Sequence, residues 1–207
     1  MNSPENRLRE LLRNYVSPAA LPYCVSVWEE NPFHLKITAR RYSKLGDYRY
    51  HPRQRTHRIS INGSLNPHAF LVTYLHEVAH LRAFRQHGFR IAPHGREWKT
   101  CFRVLMAPVL RPDVFPEDVL LPLRHYMRKP KAASGSDPQL TMALQRYDAR
   151  EDGTLPLQEV APGRSFRFRQ SVFVKEADRR TRALCRELHS GRQYLVSLAA
   201  RVEVLEE

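Results

Sequence analysis

The residues best placed to do chemistry are His76-Glu77-Val78-Ala79-His80. In an α-helix, four positions rotate through about 400°, so the two imidazoles project from one face a turn apart. From there both can reach one ion at the roughly 2.0–2.1 Å of a zinc–nitrogen bond. Glu77 sits about 100° round from His76. It can therefore approach a metal-bound water without taking a coordination position, and can accept its proton during attack on a carbonyl. The flanking Leu71-Val72-Thr73-Tyr74-Leu75 is mostly apolar, which suits a helix buried in a core.

A hydrolytic zinc site needs a third protein ligand and an open position. His87 lies about 10 Å further along the same helix than His80, too far to share the ion. Glu97 is chemically suitable. His94 is preferred, because Gly88 ends the helix, residues 89–93 allow the chain to turn back, and Gly95 permits close backbone approach.

The segments around this motif have to hold it. Leu8, Leu11, Leu12 and Val16 fall at helical spacing, and a second short helix is expected over residues 23–30. Leu35 and Ile37, then Tyr48 and Tyr50, alternate with polar residues. Gly46-Asp47 offers turn chemistry between them, so a hairpin is expected there. Residues 57–62 read as a third strand, residues 69–87 as the metal-bearing helix and residues 95–109 as another helix. Pro108, Pro112, Pro116 and Pro122 predict a turn-rich connection. Residues 129–153 read as a linker with a short helix over 139–148, and residues 154–207 as a small β-rich domain.

The chain has 207 residues and a formal net charge of +13. Residues 51–100 carry eight Arg/Lys against two acids, Glu77 and Glu97, so the positive excess surrounds the motif. Attraction to polyanions follows, and DNA is one candidate partner. In the tail, Arg167, Arg169, Arg180 and Arg182 interleave with aromatic residues, a composition suited to nucleic acid. A solvated basic face is an equal reading, since seven acids bring residues 159–207 to about +3. Arg40, Arg41, Tyr42, Lys44 and Arg49 could line a groove, although a charged hairpin explains them slightly better. Cys24, Cys101 and Cys185 are single and widely spaced, as reduced buried thiols would be. No run is long and apolar enough for a membrane span, and the polar N-terminal residues lack a secretory pattern. A cytoplasmic location is expected, and the sequence leaves the oligomeric state unspecified.

His-Glu-Val-Ala-His followed by His94, within Ala92-Pro93-His94-Gly95-Arg96-Glu97-Trp98-Lys99, resembles the SprT-like metalloproteases, a family that includes the Spartan-type proteases of DNA-crosslinked proteins. The resemblance covers roughly residues 33–110. It implies an α+β, zincin-like domain at residues 1–128 with one zinc ion on His76, His80 and His94, Glu77 as base, and a protein or peptide substrate. It also implies a rim strand that pairs with substrate, for which Ile59, Ser60 and Ile61 are the candidates. Many bacterial relatives end in a zinc ribbon with two pairs of cysteines. Here the tail has only Cys185, so it resembles a ribbon without its metal, held by packing of Phe166, Phe168, Phe173, Leu184, Tyr194 and Val196. A nucleic-acid-associated zinc protein with little hydrolytic activity is the alternative.

Overall fold

The computed structural model describes residues 3–39, 44–131, 137–148 and 153–205. It divides into two compact units, residues 1–148 and 149–207.

The first unit is built around the metal-motif helix. Helices α1 (Pro4–Leu12) and α2 (Leu21–Glu30) precede strands β1 (His34–Thr38), β2 (Gly46–His51) and β3 (Thr56–Asn62). Then come α3 (Pro67–His87), α4 (Arg96–Met106), α5 (Glu117–Arg128) and α6 (Pro138–Gln145). The start of α3 is set by Asn66, whose side chain accepts from the backbone N–H groups of His68 and Ala69, and by Pro67 in the first turn. Its end is set by Gly88, whose φ of 72° is a conformation that glycine reaches without a Cβ penalty. Every residue from Ala69 to Ala79 is buried, so this stretch of α3 is wrapped on all sides, while its last turn is exposed.

The sheet differs from the expected hairpin of β1 and β2. Its order is β1-β3-β2, with β3 parallel to β1 and antiparallel to β2. Gly46-Asp47 therefore opens a strand instead of making a turn, and the β2–β3 turn lies at residues 52–55. Paired residues share a face of a sheet. The registers Leu35↔Ile59↔Tyr48 and Ile37↔Ile61↔Gly46 thus define one face, which packs on α3. Lys36, Ser60, Asp47, Arg58 and Arg49 define the other.

Two further segments depart from expectation. The proline-rich stretch contains α5, with Pro122 inside it; Arg103 donates to the carbonyls of Met127 and Arg128 at its end. The short helix placed in a linker is α6, which buries Leu140, Ala143 and Leu144 in the first core. Asn66 also donates to the Leu144 carbonyl at 2.8 Å, so one side chain caps α3 and ties α6 to it.

The second unit is a six-stranded sheet of β4 (Thr154–Pro156), β5 (Ser165–Phe168), β6 (Ser171–Asp178), β7 (Arg182–Glu187), β8 (Gln193–Ser197) and β9 (Arg201–Val204), ordered β4-β9-β5-β6-β7-β8. Phe166, Phe173, Cys185, Val196 and Val202 fill its core as a period-2 pattern should. Leu184 faces away from that core and Tyr194, 42% exposed, only edges onto Phe173, so those two contribute less than expected. The core also contains Lys175. Its ammonium donates to the carbonyls of Leu157 (3.0 Å) and Val160 (2.7 Å) and pairs with Asp178 at 2.7 Å. Burial raises the Cys185 thiol to about 11.

Candidate metal centre

His76 and His80 leave α3 from one face, and the Gly88–Gly95 segment brings His94 back to them. The three Nε2 atoms lie 3.1 Å (His76–His94), 3.3 Å (His76–His80) and 2.9 Å (His80–His94) apart. Three nitrogens at zinc–nitrogen distances and tetrahedral angles would be about 3.3 Å apart, so the set fits a zinc ion closely. No other cluster of His, Cys, Asp or Glu with metal-holding geometry occurs among the described residues. His87 and Glu97 lie outside the cluster.

The local backbone explains how His94 arrives. Its φ is 59°, the left-handed region that a β-carbon disfavours, and the next N–H, of Gly95, bonds the Ala92 carbonyl at 2.9 Å. A Cβ at Gly95 would stand 2.9 Å from that same carbonyl oxygen. The glycine thus serves the tight turn that aims His94.

Trp98, one turn into α4, supports all three imidazoles. Its ring centroid lies 4.6 Å from His76, 5.4 Å from His80 and 4.7 Å from His94, and its Nε1–H donates to the His76 carbonyl at 3.3 Å. Phe102 stacks beneath it at 5.0 Å. Burial, reinforced by the neighbouring imidazoles, lowers His76 to about 3 and His80 to about 4. Burial and then Lys99 lower His94. All three are therefore neutral near pH 7, the form in which imidazole binds a metal.

Glu77 is 6% exposed and lies against the start of β2. A Cβ at Gly46 would stand 2.5 Å from Glu77 Oε1 and 2.8 Å from its Cγ. The absence of a side chain at Gly46 is what leaves room for the carboxylate, a role sequence reading missed by assigning this glycine to a turn. Further along β2, the Tyr48 ring lies parallel to His80 at 6.4 Å, and its hydroxyl is 2.9 Å from His57 Nδ1. Tyr50 packs on Phe84 at 4.7 Å. Gly46, Tyr48 and Tyr50, two residues apart, thus track Glu77, His80 and Phe84 along the helix.

The rim-strand assignment to Ile59, Ser60 and Ile61 is corrected by this arrangement. β3 is the middle strand, both its edges are paired, and Ile59 and Ile61 are wholly buried. The edge strand beside Glu77 and His80 is β2. A usable signal was present: its outer positions are Asp47 and Arg49, the kind of charged side chains that edge strands carry.

The arginine set in the tail is divided by the fold. Arg167 and Arg169 flank one end of β6, and Arg180 and Arg182 follow the other, about 23 Å away at 3.3 Å per residue. Arg167 pairs with Glu203 at 2.9 Å, and Arg169 lies over the Phe168 ring. Lys44 and Arg49 both bond Asp47, at 2.7 Å each, at the start of β2 and not in a β1–β2 hairpin. Arg40, Arg41 and Tyr42 lie outside the described residues. No helix among the described residues is long and apolar enough to cross a membrane.

Residues 22–116 match the profile of the SprT-like family. Comparison with curated proteins and with solved structures gives no match.

Proposed function

Taking residues 22–116 as belonging to the SprT-like family, whose domains are of zinc-metallopeptidase type, we propose that this chain is a zinc-dependent endopeptidase. One zinc ion would be held by His76, His80 and His94, with Glu77 as general base. The observation that carries this reading is the convergence of three Nε2 atoms within 3.3 Å of one another, next to a buried carboxylate that is not one of the three. Zinc bound there supplies Lewis acidity and lowers the pKa of its water.

The chain's own residues do the rest. Glu77, confined between α3 and the Gly46 backbone, accepts the proton of the attacking water and can return it to the leaving amine. Trp98 and the His94 turn hold the imidazoles in place, which avoids reorganisation during the reaction. The edge of β2, unpaired among the described residues, offers backbone groups to an extended peptide, which would add to the sheet as a further strand and pass over His80 and Glu77.

The substrates proposed are proteins associated with or crosslinked to DNA. The net charge of +13 supports this, as does its concentration around the motif. The cytoplasmic location belongs to the same proposal and is supported by three free, buried cysteines. The test is cleavage of a DNA-bound protein, with and without single-stranded DNA, by wild type and by Glu77→Gln. Wild type is expected to cleave and the variant to be inert at equal zinc content. Equal cleavage by both would remove the enzyme reading, and cleavage by neither would favour a zinc-binding protein of little activity.

A further inference from the structure

A second site opens on the first unit, in a cleft of about 680 Å³ between α1, the start of β1, the β2–β3 turn and the end of α3. Its floor is apolar: Leu8 and Leu11 of α1, Trp28, Phe33 and Leu35. Around that floor stand Arg7, Arg55 and Arg85, from three separate elements, and no acidic residue lines the cleft. None of the three arginines pairs with a carboxylate among the described residues; Arg85 has only Asn31 Oδ1 at 3.3 Å. Five other arginines of the unit, Arg9, Arg49, Arg82, Arg111 and Arg146, do pair with carboxylates.

Arg55 lies in a four-residue turn with φ 50°, in the left-handed region where glycine or asparagine would sit without strain. Arg169, in the β5–β6 turn, shares that region at φ 59°, as does His94.

We propose that this cleft binds an acidic peptide segment of a partner protein, with apolar side chains on the leucine floor and carboxylates on Arg7, Arg55 and Arg85. Guanidinium groups take carboxylates in paired, charge-assisted hydrogen bonds, and an unpaired set of three leaves that capacity open. The floor favours a peptide over nucleic acid. Single-stranded nucleic acid stacks its bases on open aromatic faces; here Phe33 is buried, Trp28 is half-buried with its Nε1–H donated to the Phe33 carbonyl, and leucine makes up the rest of the floor. The site stands apart from the peptidase reading and does not depend on it.

The experiment uses full-length Glu77→Gln protein, so that no probe is cleaved, and fluorescence anisotropy of a labelled peptide built from Leu, Phe and Glu. Controls are the same peptide with Gln for Glu, an oligo-dT and octanoate. The expected result is saturable binding of the acidic peptide, with the Gln peptide and the Arg55→Gly variant each weaker by about tenfold or more. Arg55→Gly should also melt no lower than its parent, because glycine relieves the turn. Arg7→Ala, on a different element, should weaken binding likewise. Equal binding of the Glu and Gln peptides, or unchanged binding by both arginine variants, would overturn the proposal. So would an oligo-dT that binds more tightly than the peptide in an Arg55-dependent way, or octanoate that matches the peptide.

Discussion

Replacing Gly46 by alanine probes how the Glu77 carboxylate, the proposed general base, is held. The added methyl would meet Glu77 Oε1 at 2.5 Å, Glu77 Cγ at 2.8 Å and Thr73 Cγ2 at 2.8 Å. Ordinary carbon–oxygen contact is near ~3.4 Å, so the carboxylate or the strand must move by roughly 0.9 Å. Misplacement of a reacting group by about 1 Å can cost on the order of a hundredfold in rate, or about 2.7 kcal/mol of transition-state stabilisation. Overpacking should lower stability by about 1–3 kcal/mol, partly offset by the lost flexibility of glycine in the unfolded chain. The imidazoles are untouched, so zinc content should stay at the wild-type level. The assay is kcat/KM on a protein substrate, with metal content measured on the same preparation. Activity of Gly46→Ala within twofold of wild type, in protein where Glu77→Gln is inert, would refute the placement of Glu77 against β2.

Three further outcomes follow from the same geometry. Metal-free protein should lose stability as pH falls from about 6.5 toward 4. His76 and His80 are held neutral, with folded values of about 3 and about 4, so the unfolded chain takes up more protons across that window. Urea midpoints measured from pH 7 to pH 4 check this, and a flat profile would contradict it. Trp98→Ala should cost about 3–5 kcal/mol by cavity formation and reduce zinc affinity; Trp98→Phe should keep more of both, and equal behaviour of the two variants would remove the supporting role of the indole. Lys175→Met leaves the Leu157 and Val160 carbonyls and Asp178 without their shared cation. Unfolding of the second unit, followed by hydrogen exchange, should ease by about 3 kcal/mol, and a change below about 0.5 kcal/mol would show that the ammonium adds little.

What could be read in advance divides along physical lines. The helical ligands follow from local periodicity, and the return of His94 follows from Gly88 and Gly95, so the cluster was legible from spacing and turn chemistry. The parallel pairing of β1 with β3 was not, because it joins segments some 24 positions apart and leaves no local pattern. That pairing moved the candidate substrate edge from Ile59–Ile61 to β2 and turned Gly46 from a turn residue into the space that admits Glu77. α5 was hidden by Pro122, since a proline inside a helix reads as a break. The bond from Asn66 to Leu144, which helps make α6 part of the first unit, is equally non-local. In the tail, alternation located the strands, but only the strand order could show that Arg167 and Arg169 lie far along β6 from Arg180 and Arg182.

The most direct test of the central claim is the zinc content of purified, dialysed protein, compared among wild type, His94→Ala and His87→Ala. Wild type and His87→Ala should each retain one zinc per chain, and His94→Ala should fall well below one. Full zinc retention by His94→Ala, or loss of zinc from His87→Ala, would contradict the assignment of His76, His80 and His94 as the metal centre.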